Sequence, residues 1–123
     1  MSLNALNWFE IPVINIQRAK QFYQAINGAI FHDEVIQPNT LAIFSYERPG
    51  VGGCLVQGSN YTPGNHGAVV YLPVEDSMQS ALERVKAAGG KIVTDATQLP
   101  GDMGCYAHIT DTEGNRVGLH ALN

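Results

Sequence analysis

A repeat constrains this chain more than any other feature. Set against itself at a spacing of 61 residues, the sequence places Ile11-Pro12-Val13 over Leu72-Pro73-Val74, Asn15 over Asp76, Gly28 over Gly89 and Phe31 over Ile92. Self-similarity at a fixed spacing marks two copies of one unit. Each copy opens with a strand-like alternation that ends at a proline and a valine. Asn15 or Asp76 then offers a side-chain oxygen to the free N–H groups of a helix start, and Gln79 completes a capping box with Asp76. Ile16, Ala19, Phe22, Tyr23 and Ile26 carry the first helix, predicted over 15–27; Met78, Ala81, Leu82, Val85 and Ala88 carry the second, over 77–88. Gly28 and Gly89 supply the left-handed position at which a helix stops.

Short strand-like runs follow each helix, at about 29–35, 40–46 and 51–57 and at about 91–96, 103–110 and 115–121. Both copies therefore read β-α-β-β-β, with modules over about 5–58 and 67–122 joined by the polar linker Gly58–Gly67. A module of about 60 residues buries too little surface to stand alone. The expectation is one domain over residues 1–123, of the α+β class.

Strand parity divides the side chains between two faces. Phe9, Ile11 and Val13, then Val70, Leu72 and Val74, then Val117, Leu119 and Ala121 form a uniformly apolar set that should pack on the helices. The opposite parity carries Trp8, Glu10, Tyr71, Arg116 and His120, with Pro12, Val69, Pro73 and Gly118. That mixture suits the wall of a ligand cavity, or a face covered by a second subunit. A carboxylate, an imidazole and an aromatic wall can bind or deprotonate a small carbonyl compound, and Arg116 can anchor an anion. Glu10 and His120 are thus the candidate catalytic pair, and Trp8, Glu10, Tyr71, Arg116 and His120 the candidate ligand-binding set.

Composition removes other classes. With 7 Lys and Arg against 11 Asp and Glu the net charge is -4, which offers no footprint for a phosphate backbone, so no nucleic-acid partner is expected. No apolar stretch reaches the length of a membrane span, and MSLNALNWFE lacks the basic and apolar regions of a signal peptide, so a cytoplasmic chain with no membrane partner is expected. Cys54 and Cys105 form no CxxC pair and read as core thiols. The four histidines, His32, His66, His108 and His120, lie at no spacing that presents a ready metal pair. Asp111, Glu113, Gly114 and Asn115 read as a tight turn between strands, without the ladder of a calcium loop, and Gly50, Gly52 and Gly53 as a turn followed by a strand with close backbone approach.

The segments IPVINIQRAKQFYQAINGA at 11–29, VVYLPVEDSMQSALERVKAAGGKIV at 69–93 and DTEGNRVGLH at 111–120 resemble the vicinal oxygen chelate superfamily, which includes glyoxalase I, bleomycin-resistance proteins and extradiol dioxygenases. The resemblance runs from Trp8 to His120 and implies two β-α-β-β-β modules forming an incomplete eight-stranded barrel around a cleft, usually within a homodimer. It also implies a metal held by His, Glu and Gln from the inner faces of four strands. The matching positions here are Trp8 for the first ligand, Val69 for the third and Gly118 for the fourth, with Gln57 as the candidate for the second. Indole, isopropyl and hydrogen offer a divalent ion no lone pair. The expectation is accordingly no metal, no cofactor, and neither glyoxalase I nor iron-dependent ring-cleavage chemistry. Glu10 and His120 sit two residues along their strands from those positions, the place for a displaced and weaker site. Three functions fit: a metal-independent small-molecule binding protein of the bleomycin-resistance kind, a lyase or isomerase/epimerase-like enzyme acting on a small oxygenated metabolite, and a protein-interaction or accessory subunit.

Overall fold

The computed structural model describes residues 4–123, so Met1 to Leu3 of the expected leaderless start lie outside the described residues. The first module runs β1 (Trp8–Pro12), α1 (Ile16–Asn27), β2 (Phe31–Ile36), β3 (Asn39–Phe44) and β4 (Gly52–Gln57). The second repeats the order with β5 (Tyr71–Pro73), α2 (Met78–Ala87), β6 (Lys91–Gln98), β7 (Cys105–Thr110) and β8 (Arg116–Ala121). Each module makes a four-stranded sheet, ordered β1-β4-β3-β2 and β5-β8-β7-β6, and neither sheet closes into a barrel. In each, the first strand pairs parallel with the last, Trp8 opposite Gly52 and Tyr71 opposite Gly118. No helix among the described residues is long and apolar enough to cross a membrane.

The helix ends show how local chemistry fixes the elements. Asn15 caps α1 as predicted, its side-chain oxygen accepting the Arg18 N–H at 3.1 Å, and Gly28 ends the helix with φ of 72°. In α2 the cap falls one residue later than predicted. Ser77 accepts the Ser80 N–H at 3.2 Å, and the Asp76–Gln79 capping box does not form. Asp76 instead receives both ends of the Arg84 guanidinium at 2.8 and 2.9 Å. Arg84 Nε also donates to the Ile26 carbonyl at the end of α1 at 3.0 Å, so this pair ties the two helices together. The boundaries of the strands shift by one or two residues from their predicted runs; β6, for example, continues to Gln98.

The predicted parity holds. Ile11, Val13, Leu72, Val74, Val117, Leu119 and Ala121 are buried in one core that also takes Phe22, Tyr23 and Ile26 from α1 and Met78, Leu82 and Val85 from α2. Both modules thus share a single apolar interior, at roughly 25 cal/mol for each Å² removed from water. Close approach across the modules requires glycine at position 90, where a Cβ would come within 2.8 Å of the Phe22 ring.

The turn at 111–115 does more than reverse the chain. Asp111, Glu113 and Asn115 are all buried, and each bonds into the first module or braces a residue that does. Glu113 Oε1 accepts the N–H groups of Ile14 and Asn15 at 2.9 and 2.8 Å, satisfying donors just ahead of α1. Arg18 reaches over it with contacts of 2.7 and 3.0 Å, and the Thr112 hydroxyl donates at 3.0 Å. Asp111 accepts the Tyr23 hydroxyl at 2.5 Å and the N–H groups of Glu113 and Asn115 at 2.8 and 2.9 Å. Asn115 Nδ2 donates to the Pro12 carbonyl at the end of β1 at 2.7 Å. The reading of this segment as a turn alone is corrected: it is a polar clasp between the modules. Burial and the Asp111 charge keep the Tyr23 phenol protonated well above its ordinary value.

Burial of Glu113 opposes its ionisation, but Arg18, the Asn15 N–H, the Thr112 hydroxyl and the Ile14 N–H outweigh burial and hold its carboxyl at about 2. Because the folded value lies below the ordinary 4.5, the clasp stabilises fully above that pH and weakens as pH falls toward about 2. Arg18 is half exposed, so its Coulombic share is modest, and the N–H groups left without partners dominate the cost of removing the carboxylate. Glu113→Ala should cost about 2–3 kcal/mol at neutral pH. Glu113→Gln keeps an acceptor for the same N–H groups; it should cost less and flatten the decline in stability between pH 5 and 3. Urea denaturation of the three proteins across that range measures both effects.

Candidate functional site

The inner faces of the two sheets differ. On the first sheet, Leu41, Cys54 and Val56 form a second small core, packed by Trp8, Ile43 and by Tyr61 from the linker. The linker therefore covers part of this face. The Tyr61 hydroxyl donates to Glu10 Oε1 at 3.1 Å. Burial, reinforced by the Glu10 charge, pushes the Cys54 thiol up to about 11, so it stays protonated and packs as a small apolar group. Cys54 and Cys105 are free and buried. Gln57 lies away from this face in function: its Oε1 accepts the Ile16 N–H at 2.9 Å at the start of α1.

The inner face of the second sheet is open and polar. Tyr71 is half exposed, and its ring lies over Gly118, where a Cβ would come within 2.5 Å of the ring. Tyr106 and His108 of β7 stand beside it, with ring centroids 6.4 and 5.5 Å from that of Tyr71. Arg116 donates to His108 Nδ1 from Nε at 3.1 Å and from Nη2 at 2.9 Å, while His108 Nε2 sits 2.6 Å from the Tyr71 hydroxyl oxygen. Burial and the adjacent Arg116 charge hold His108 below the ordinary histidine value. His120 Nε2 lies 2.6 Å from the Met103 carbonyl, which only accepts, so that nitrogen donates its proton there.

The five residues singled out from the sequence fall on three cavities. Glu10 and Arg116 line one of about 180 Å³ at the seam of the modules, together with Thr62 and His66 of the linker and Asn115 of the clasp. Tyr71 and His120 line a second, of about 330 Å³, with Leu99 and Tyr106. Trp8 lines a third of about 660 Å³ with Tyr46, Arg48 and Gly52. Arg116 and Tyr71 are joined through His108, which links the first two cavities. Sequence reasoning missed His108, Tyr106 and Tyr61. The first two were within reach of the same parity argument, since Cys105, Ala107 and Ile109 of β7 face the core and leave Tyr106 and His108 on the inner face. Tyr61 carried no periodic signal, being in the linker.

The donor set does not fit the family's metal centre. Tyr71, not a ligand, covers Gly118, and Gln57 is engaged at α1. Among the described residues, no three His, Cys, Asp or Glu side chains converge in a way that could hold a metal ion.

Comparisons with known proteins agree with the fold. The crystal structure of a glyoxylase/bleomycin resistance protein/dioxygenase domain from Frankia sp. EAN1pec is 16% identical, with a TM-score of 0.74 over 98% of each chain. TnmS3, an antibiotic binding protein from Streptomyces sp. CB03234, is 21% identical, with a TM-score of 0.70 over 98% of each chain. The genomically encoded fosfomycin resistance protein FosX from Listeria monocytogenes is 16% identical, with a TM-score of 0.68 over 98% of this chain and 94% of its own. No curated protein matches the sequence. The family described as the Glyoxalase/Bleomycin resistance protein/Dioxygenase superfamily matches residues 5–119, in keeping with the duplicated β-α-β-β-β modules, and the chain belongs to it.

Proposed function

We propose that this chain binds a small oxygenated, anionic organic molecule on its inner faces, without the family's usual metal. The observation that carries the reading is the seam cavity. There the Arg116 guanidinium, a fixed cation that donates only, and the Glu10 carboxylate, which accepts only, stand on one small concave surface with the linker's His66. Such a pair orients a hydroxy- or oxo-acid: the acid group toward Arg116, a hydroxyl toward Glu10. Trp8 and Tyr71 line the other two cavities and supply aromatic surface there. One chain of the same fold is an antibiotic binding protein, so binding lies within what the fold supports. A second reading, proton transfer by a lyase or isomerase/epimerase-like enzyme on a small oxygenated metabolite, draws support from His120 on the cavity it shares with Tyr71, where the Met103 contact occupies Nε2 and leaves Nδ1 unengaged.

The cleft is proposed to be completed in a homodimer, because the inner face of the second sheet stays open and the outer strands leave Val35, Ile36 and Val93 exposed. Sedimentation at micromolar concentration should give about twice the 13.3 kDa of one chain, and a species of one chain's mass overturns the dimer. Elemental analysis after gentle purification should find Zn, Ni, Fe and Mn far below one equivalent; a stoichiometric metal lost in Glu10→Gln would mark the displaced site. A thermal-shift screen of small hydroxy- and oxo-acids tests binding itself. With a hit in hand, Glu10→Gln and His120→Asn should each weaken affinity or turnover at least tenfold, about 1.4 kcal/mol, with little change in melting temperature. Unchanged affinity and rate in both variants removes these two residues from the site.

A further inference from the structure

The polar side chains on the second sheet's inner face are arranged in a directed line. A guanidinium has only donors, so His108 Nδ1 must accept from Arg116. A neutral His108 then carries its proton on Nε2 and donates it to the Tyr71 oxygen at 2.6 Å. The Tyr71 hydroxyl, with its oxygen already accepting, has its own proton left to donate, and Tyr71 is half exposed on the cavity it shares with Tyr106, Leu99 and His120. Two fixed donors result: the remaining N–H groups of Arg116 at the seam cavity and the Tyr71 O–H at the second. With one imidazole and two hydrogen bonds between them, they stand within about 8 Å of each other.

We propose that Arg116, His108 and Tyr71 form a hydrogen-bond relay that recognises a flat carboxylate bearing a second oxygen, with the carboxylate on Arg116 and the second oxygen accepting from Tyr71. This rests on the small-molecule reading above and deepens it. His108 is a positioning residue: it contacts no ligand, but by donating to the Tyr71 oxygen it fixes that hydroxyl as a donor and polarises it. Gly118 is required beneath, because any Cβ there would push the Tyr71 ring off its seat. The Tyr71 and Tyr106 rings and Leu99 form the apolar walls that favour a planar body over a branched one. A neutral ligand leaves Arg116 without its anion, and a simple carboxylate leaves the Tyr71 donor unused.

Two measurements test the relay on the intact protein. Nitrogen-15 NMR of the histidine rings at neutral pH should show His108 as a single neutral tautomer protonated at Nε2, with that proton protected from exchange. Tyr71→Phe should remove the protection, and Arg116→Gln should let the Nδ1 tautomer appear. A different tautomer, or no change in either variant, overturns the relay. Ligand-observed NMR with 4-hydroxybenzoate, benzoate and 4-hydroxybenzyl alcohol reads the recognition. 4-Hydroxybenzoate should bind best. Tyr71→Phe and His108→Asn should weaken it about fivefold or more while leaving benzoate nearly unchanged, and Arg116→Gln should weaken both acids. Equal binding of the three probes, indifference to these variants, or no binding of 4-hydroxybenzoate at about 10 mM overturns the proposal. If that happens while another small molecule binds in a manner sensitive to Glu10→Gln, the relay falls and the broader reading stands; if nothing in a wider screen binds, both fall.

Discussion

The buried carboxylate of Glu113 is the contact on which the rest of this structure depends. It belongs to the second module, yet it satisfies the N–H groups of Ile14 and Asn15 just ahead of the first module's helix. Asp111 and Asn115 complete the join by holding Tyr23 and the Pro12 carbonyl. An apolar core is non-directional and would tolerate some sliding of one module on the other. Hydrogen bonds to buried carboxylates do not, because each displaced donor then faces a low-dielectric interior unpaired. The clasp therefore sets register where the core sets only cohesion. The functional consequence is immediate, since Arg116 follows Asn115 in sequence and Glu10 precedes Pro12 by two residues. The bond from Asn115 to Pro12 is what fixes the first residue of β8 against β1 and puts a cation and a carboxylate on the same small cavity.

Duplication gave two similar sheets, but their inner faces have diverged in use. In both, an aromatic on the first strand stands opposite a glycine on the last, Trp8 opposite Gly52 and Tyr71 opposite Gly118. In the first module the linker's Tyr61 packs over Leu41, Cys54 and Val56 and covers part of the face, leaving Glu10 at its margin. In the second, no segment among the described residues covers Tyr106, His108 and Arg116 in this way, and the open face is hydrogen-bonded within itself. One module thus presents a largely packed face with a carboxylate at its margin, the other an open polar surface.

The sequence made legible whatever depends on local periodicity. Strand parity separated Ile11, Leu72 and Leu119 from Glu10, Tyr71 and His120, and the repeat gave the order of the elements and the Asn15 cap. What it hid depends on contacts between distant positions. Asp76 looks like a helix cap by type and place, but Arg84, two turns on, competes for it, and Ser77 takes over the cap. The segment DTEGN is sufficient as a turn, so nothing local says that Glu113 reaches back 99 residues to Ile14. The grouping of Trp8, Glu10, Tyr71, Arg116 and His120 on one side of the sheets was legible from parity. Their division among three cavities was not, because parity gives the side of a sheet and not the distance along or between sheets.

His108 shows the same limit from the other side. Alone on a strand, a histidine reads as a satisfied polar group, and it is one: both ring nitrogens have partners. Satisfaction and function are not alternatives here. A histidine bonded to two neutral, freely rotating groups could exchange tautomers and would impose no direction on either. One of its neighbours is Arg116, which can only donate, so the direction of every bond downstream is settled by the chemistry of the guanidinium. Where the family's metal would polarise an oxygen by its charge, the fixed cation on this face lies one imidazole away from the hydroxyl it orients. That arrangement needs a glycine under Tyr71, an inner-face position for His108 and a β8 start pinned by the clasp. Each comes from a different segment of the chain, so the arrangement is a property of the assembled modules and of no single motif.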